Sequence, residues 1–326
     1  MPNTFLKTGV IARATVGLLY RDLVIARTVW TDAINPGEFT GALNDTVNMR
    51  VPARRTARKR TLRAGTAIVN DVSNEFTVPV RLDTDVYNGA PVTDEELTLD
   101  ITDFATQVLN PQVRAVVEGL EDEIADEIEN ADYAAGMVLD PTDTEFVVSG
   151  DTDWYRTATR ARRLLNDNNV SKADRTLLIG TEVEEQILNT DRFTRFDAIG
   201  EQSTDALRES MIGRIAGFNV VVSSSIEPDV AYAYHRSAFV LATRAPAIPA
   251  GASFARVQGV GQPGGAMGYW EGVSVRWLRD YDYTNTTDRS LVNTWVGTAS
   301  VTDPDDPADD ESTMSLQRAV AIRTGS

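Results

Sequence analysis

The chain has 326 residues, 42% of them hydrophobic and 24% charged, with a formal charge of −17 and no cysteine. That length buries a sizeable core and suits two or three compact units or one body with extended excursions, while the lack of cysteine excludes disulfides, thiolate metal sites and a cysteine nucleophile and suits a reducing cytoplasm. No apolar run approaches eighteen residues, so a soluble globular chain that spans no membrane is expected, with a body whose negative charge repels phosphate.

The opening stretch, MPNTFLKTGVIARATVGLLYRDLVIARTVW, is interrupted by Lys7, Arg13, Arg21, Asp22 and Arg27. It reads as an amphipathic arm and carries no secretory signal. From Asp45 the alternation of Val47, Met49 and Val51 predicts a strand running into Pro52 and a cationic excursion. The excursion holds Arg50, Arg54, Arg55, Arg58, Lys59, Arg60 and Arg63, with no acidic residue from Met49 to Gly65. Return strands are predicted at EFTVPVRL (Glu75 to Leu82) and EELTLDI (Glu95 to Ile101), with a turn at DTDVYNGAP between them. Together these form one long polar hairpin. It buries too little apolar surface to hold its shape alone, so it must lie against something else.

A helix follows, NPQVRAVVEGLEDEIADEIENADYAAG, with Asn110 as its N-cap and Pro111 at the first helical position. Val113, Val116, Val117, Leu120, Ile124, Ile128 and Ala131 fall on one stripe at helical spacing. Around it stand Glu118, Glu121, Asp122, Glu123, Asp126, Glu127, Glu129 and Asp132, opposed only by Arg114. Taken alone, such a face is ordinarily just solvated.

After Gly150 helices and strands alternate. DTDWYRTATRARRLLNDNN is helical and RTLLIG is a buried strand. TEVEEQIL is a helix opened by a capping box from Thr181 to Glu184. FNVVVSSSI, AYAYHRSAFVLAT and ASFARVQGV are strands that complete a second α/β unit. YWEGVSVRWLRDYDYT and SLVNTWVGTASV return to β structure. An acidic, proline-punctuated linker, TDPDDPADDEST, and a short apolar tail, LQRAVAI, end the sequence.

No chemistry-bearing motif emerges. The sole histidine, His235, lies in a strand pattern with no nucleophile elbow to serve, and reads as a space-filling residue. One histidine and no cysteine leave only carboxylates for a metal, and neither an EF-hand loop nor HExxH is present. GVGQPG (Gly259 to Gly264) satisfies GxGxxG by letter, but Pro263 interrupts it and strand-like residues follow where a helix N-terminus is required. No catalytic, metal or cofactor residue is assigned, and no enzyme is expected.

The basic segment has three readings: a nucleic-acid arm, a membrane-surface patch or a clamp between subunits. No aromatic side chain lies between Met49 and Asn74 to stack on bases, and Pro52 with its β-type flanks disfavours a membrane-binding helix. An acidic protein surface remains. The helix from Glu118 to Asp132 supplies one, and complementary patches on one sequence are what self-assembly needs.

The order of elements resembles the major capsid (coat) proteins of tailed bacteriophages with the Hong Kong 97-like fold. The resemblance is carried by PVTDEELTLDITDFATQVLNPQVRAVVEGLEDEIADEI, SKADRTLLIGTEVEEQIL, MIGRIAGFNVVVSSSI and AYHRSAFVLATRAPAIPAGA, and covers nearly all of Met1 to Asp303. It implies an α+β fold with an N-arm at 1–37, an extended β-hairpin E loop at 38–101, and a peripheral domain with a long spine helix at 102–150. An axial α/β domain at 151–267 and a return to the peripheral domain at 268–303 follow. The acidic linker and tail, 304–326, fall outside the pattern and read as a segment that binds a neighbour or a decoration protein.

The resemblance further implies a structural protein that self-assembles into pentamers and hexamers of an icosahedral phage head enclosing double-stranded DNA. Its place would be the virion capsid, assembled in the bacterial host cytoplasm. Its partners would be further copies of itself, a separate scaffolding protein, a portal protein and a decoration protein, with no sequence-specific nucleic acid and no membrane. In that family the E loop reaches over the peripheral domain of a neighbouring subunit. Arg54, Arg55, Arg58, Lys59, Arg60 and Arg63 are thus expected to clamp Glu118, Glu121, Asp122, Asp126 and Glu129 of an adjacent copy. Some relatives crosslink a hairpin lysine to a neighbour's asparagine; Lys59 is the only lysine in this hairpin and has no visible partner motif, so ion pairing is expected instead. Gly119, inside the spine helix, is either a hinge for shell maturation or a close packing contact. The alternatives are an encapsulin-type nanocompartment shell and a nucleic-acid-binding protein acting through residues 49–65.

Overall fold

The alternation from Val47 to Val51 does form a strand, and its apolar side decides where the hairpin lies. The computed structural model describes residues 24–31, 46–51, 57, 59–62, 67–68, 75–95, 97, 104–148, 151–189, 213–249, 254–260, 273–284, 286–304 and 313–324. β1 (Thr46–Val51) pairs antiparallel with β2 (Phe76–Arg81), from Thr46 opposite Arg81 to Val51 opposite Phe76. Val51, Val78 and Val80 are buried against Val240, Ala242, Ala299 and Val301. The support that an isolated hairpin lacks therefore comes, at its root, from its own chain.

The stretch expected to turn is a strand. β3 (Thr84–Thr93) pairs with β14 (Thr287–Ser300) along its whole length, from Thr84 opposite Val296 to Thr93 opposite Thr287. Of the strand expected at EELTLDI, Glu95 and Leu97 are helical instead, and residues 96 and 98–101 lie outside the described residues. A ladder to residues two hundred positions away outweighs the local turn preference of Asn88 and Gly89. Pro91 is tolerated because β3 is an edge strand.

β14 organises the larger sheet. β3 covers one of its edges. On the other, β13 (Val273–Asp282) pairs with its first half and β11 (Phe239–Arg244) with its second, while β12 (Phe254–Val260) lies outside β13. Across this sheet lies α1 (Asn110–Asn130), which buries Val113, Val116, Val117, Leu120, Ile124 and Ile128 as its stripe predicts. Gln112 is buried with them. Its amide donates to the carbonyls of Ser290 (2.9 Å) and Asn88 (3.2 Å) and accepts from the Ser290 hydroxyl (2.7 Å), so its burial leaves no polar group unmatched across the two strands.

Asn110 is not the N-cap. A π-helical turn, Ala105–Leu109, leads straight into α1, and Leu109 is already helical with no side-chain cap. Pro111 has no N–H to give and crowds the carbonyl four residues back; the wider turn just ahead accommodates both.

The second unit is built on a six-stranded sheet. β4 (Val138–Leu139) precedes a small ribbon of β5 (Val147–Val148) and β6 (Asp151–Thr152), and then α2 (Trp154–Asp167), capped by the Asp153 carboxylate on the Arg156 N–H. β7 (Arg175–Ile179) is buried throughout, as expected for its Leu177–Ile179 core although Arg175 and Thr176 are buried with it, and leads into α3 (Thr181–Leu188). The capping position of α3 is Gly180, not Thr181: a β-carbon there would stand 2.3 Å from the Glu227 carbonyl oxygen. The Pro228 carbonyl accepts the N–H groups of Glu182 and Val183 at 3.0 and 3.2 Å, so the helix needs no side-chain cap. β8 (Arg214–Ile215), β9 (Phe218–Val222) and β10 (Ala231–His235) follow.

The run AYAYHRSAFVLAT is two strands divided between the two sheets. β10 belongs to the six-stranded sheet, and after a 3₁₀ turn at Arg236–Ala238 the chain enters β11 beside β14. Strand pairing thus divides the range expected for the axial domain, 151–267: β11 and β12 belong with α1 and the larger sheet.

The tail also departs from expectation. β17 (Ala319–Ile322) sits inside the six-stranded sheet, whose order is β4, β17, β10, β7, β9, β8, with all four of its residues buried. It pairs antiparallel with β10 and parallel with β4. The tail is therefore an internal strand and not an appendage. β15 (Asp303–Pro304) pairs with β16 (Met314–Ser315) where the chain leaves and re-enters the acidic linker; linker residues 305–312 lie outside the described residues. Two Arg318 nitrogens hold both oxygens of Asp303 at 2.6 Å, tying that junction together.

Candidate functional site

Of the cations expected at the hairpin tip, Lys59 and Arg60 are described and exposed, while Arg54, Arg55, Arg58 and Arg63 lie outside the described residues. At the hairpin root Arg50 pairs with Glu75 at 3.2 Å.

The acidic residues of α1 have different surroundings. Asp122 and Asp126 are exposed. Glu118 is exposed and paired with Arg114 one turn earlier at 2.9 Å, an arrangement worth about 0.3–0.5 kcal/mol. Glu129 is half-buried and accepts the Glu227 N–H at 3.0 Å.

Glu121 is a correction. It points into the chain's own interior, accepting hydrogen bonds from the backbone N–H groups of Val24 and, at 2.9 Å, Ile25. The segment it holds, residues 24–31, buries Ile25, Ala26 and Val29 in the core with α1 and bridges to β11 through Trp30. Trp30 donates to the Phe239 carbonyl at 3.0 Å and accepts from Leu241 at 3.2 Å. The apolar Ile25 and Val29, one helical turn apart, were visible in the sequence; that a carboxylate would serve as their anchor was not.

Burial pushes the Glu121 carboxyl above its ordinary value of 4.5, against the pull of the Val24 and Ile25 N–H groups. Burial does the same to Glu127, against hydrogen bonds from Ser300 and Thr298. A carboxyl with a raised folded pKa binds its proton more tightly in the folded state, so its ionisation opposes folding at neutral pH. That opposition fades as pH falls through the raised value toward the ordinary one. These two groups are therefore expected to make the chain more stable as pH is lowered from neutral toward 4.5. Denaturant midpoints across this range should show a flatter profile for Glu121→Gln with Glu127→Gln; an unchanged slope would remove both groups from the account.

Gly119 faces the sheet. A β-carbon there would lie 2.8 Å from Val86 Cγ1, and α1 runs through it without a break. The structure accounts for this glycine as the close contact between α1 and β3.

His235 is half-buried, with Nδ1 2.9 Å from the Ser237 hydroxyl and accepting the Ser237 N–H at 3.1 Å. Burial lowers its pKa, with Asp174 pulling the other way. Asp303, which lines the same pocket, is held by Arg318. Gly259 and Val260 of the glycine-rich motif lie in β12, with Gly259 opposite Ser274; the rest of the motif is outside the described residues. Among the described residues no cluster of acids and histidine could hold a metal, and no helix is long and apolar enough to cross a membrane.

A family model described as phage capsid protein matches residues 74–308. The chain belongs to the phage capsid protein family. No curated protein matches it. Among solved structures, a chain of Mycobacterium phage Che8 is 17% identical with a TM-score of 0.61, covering 93% of this chain and 92% of that one. A capsid chain of Cyanophage P-SCSP1u is 11% identical with a TM-score of 0.60, covering 91% and 86%. A virus-like particle chain from Pyrococcus furiosus is 11% identical with a TM-score of 0.50, covering 95% and 96%. These likenesses show the fold, which is α+β and Hong Kong 97-like. This capsid protein is a structural component of the virion, of a family that is generally non-enzymatic.

Proposed function

We propose that this capsid protein builds an icosahedral head of pentamers and hexamers around double-stranded DNA, assembled in the cytoplasm of a bacterial host. The hairpin tip of one copy lies on the acidic face of α1 in the next. The observation that supports the clamp is the exposure of opposite charges on two elements of one chain: Lys59 and Arg60 beyond the β1–β2 ladder, and Asp122 and Asp126 on α1. Glu118 and Glu129 flank the acidic face, whereas Glu121 is occupied by residues 24 and 25 and drops out of the partner set. Each exposed pair is worth only about 0–1 kcal/mol, but a closed shell repeats the contact many times. The negative body suits a container that does not grip its genome. A scaffolding protein, a portal and a decoration protein complete the proposed partners, on the strength of the family resemblance.

Reversing Lys59→Glu and Arg60→Glu together should leave the thermal transition of the monomer unchanged and abolish shells in negative-stain images. Wild-type shells should also loosen as salt is raised. Normal shells from the reversed protein would remove the clamp from the proposal. A second reading, an encapsulin-type nanocompartment, is supported by the fold shared with the Pyrococcus furiosus particle; purified shells free of DNA would select it.

A further inference from the structure

α2 carries Arg156, Arg160, Arg162 and Arg163 on a chain that is strongly negative overall. One of them is committed internally: Arg162 donates to the Ala216 carbonyl at 2.9 Å and lies where a β-carbon on Gly217 would come within 3.1 Å. The others face an open cleft of about 540 Å³, whose lining of three arginines outnumbers its two carboxylates, Glu145 and Asp153. There Arg156 donates to the Glu145 carbonyl at 2.9 Å, and Arg163 sits 3.4 Å from Asp167 with both side chains well exposed. Arg160 is half-buried, and its Nε is shielded from solvent with no hydrogen-bond partner. Tyr155, 50% exposed, and Val148, 49% exposed, add apolar area to the same cleft. Its chemistry fits a carboxylate-rich protein surface.

The chain carries such a surface on the neighbouring helix. α3 buries Val183 and Ile187, exposes Glu182 and Glu185 and leaves Glu184 half-buried, with no cation among its residues. α2 and α3 meet at one corner, where the Trp154 indole N–H donates to Gln186 Oε1 at 2.7 Å, and each presents its own charge to solvent. A ring of identical subunits needs two different, mutually complementary patches on every copy. We infer that the arginine cleft of α2 in one copy receives the glutamate face of α3 in the next copy around a ring. This rests on the capsid reading but uses different elements from the hairpin clamp.

The test uses full-length chain in three forms: Arg156→Glu with Arg163→Glu, Glu182→Arg with Glu185→Arg, and all four together. Rings are counted by native mass spectrometry and electron microscopy, with thermal transitions as the folding control. Either two-site reversal should cut ring yield at least about tenfold, the equivalent of losing a few exposed pairs, and the four-site protein should recover it. Mixing the two reversed proteins in equal amounts should restore rings with an even number of members and no pentamers, because matched charges then require alternation. Wild-type yield from the α2 reversal, or no recovery in the four-site protein, would overturn the inference. So would unchanged rings with less packaged nucleic acid, which would assign the cleft to phosphate. If the reversal unfolds the chain, Arg156→Gln with Arg163→Gln decides: fewer rings at an unchanged transition support the contact, and unchanged yield refutes it. Wild-type protein that forms no rings would instead defeat the capsid reading itself.

Discussion

Deleting residues 313–326 is expected to leave the six-stranded sheet unable to fold. The segment has the composition of an appendage, but Leu316 and all of β17 are buried. Leu316, Val320 and Ile322 alone contribute about 5–9 kcal/mol by burial, as much as the whole net stability of many domains. The backbone is equally committed. β17 fills the position between β10 and β4, and Leu316 exchanges hydrogen bonds with the segment just after α1, donating to Asp132 and accepting from Ala134, both at 3.1 Å. Without the segment, β10 presents an unpaired edge carrying Tyr232 and Tyr234, which favours aggregation. The truncated chain should accumulate as insoluble protein with no cooperative thermal transition. Replacing residues 305–312 with a neutral glycine-serine linker of equal length should leave the transition in place, because the β15–β16 pairing and the Arg318–Asp303 bridge hold the junction. A soluble truncated protein with the wild-type transition would refute this account of the tail.

What could be read from the sequence depended on how local the deciding contacts were. The apolar stripe of α1, the buried run of β7 and the alternation of β1 each carry their own periodicity, and all three appear in the structure. The segment from Thr84 to Thr93 carries turn residues, and only its pairing with β14 makes it a strand. The same limit hid the division of AYAYHRSAFVLAT between two sheets, since a strand pattern does not say which partner it will find. At the candidate interface, opposite charges on the hairpin and on α1 were plain. That Glu121 would turn inward to hold residues 24 and 25 was not, although Val117, Ala125 and Ile128 on the same helical face are all buried, because a carboxylate among charged neighbours is ordinarily solvated. The α2 arginines give no signal of their own for a related reason. Four cations in a helix look like an ordinary solvated face until the burial of Arg160 and the commitment of Arg162 separate them.

Gly297→Ala should destabilise the chain by about 3 kcal/mol, the upper range for forcing extra atoms into a packed site. By propensity the sign would be the reverse, since glycine weakens a strand interior and alanine would restore some order. Space decides the matter. A β-carbon on Gly297 would stand 2.1 Å from the Arg81 carbonyl oxygen and 2.8 Å from its carbon, so the obstacle is backbone and no rotamer change relieves it. Gly89→Ala, on the same sheet, meets only Leu291 Cδ1 at an ordinary 3.7 Å and should be nearly neutral, which separates a clash from a general intolerance of alanine. Arg81 ends β2, and the chain from there to Thr84 turns the hairpin into the larger sheet. The glycine therefore allows that link to cross directly over β14 and sets the direction in which the hairpin leaves the body. In the Gly297→Ala variant the denaturant midpoint should fall, and limited proteolysis should cut first near residues 81–83. Under conditions where that variant remains folded, shells should still be fewer, because the cationic tip would no longer meet the neighbouring helix in register. A variant that matches wild type in both stability and shell yield would show that the crossing is not where the hairpin's aim is set.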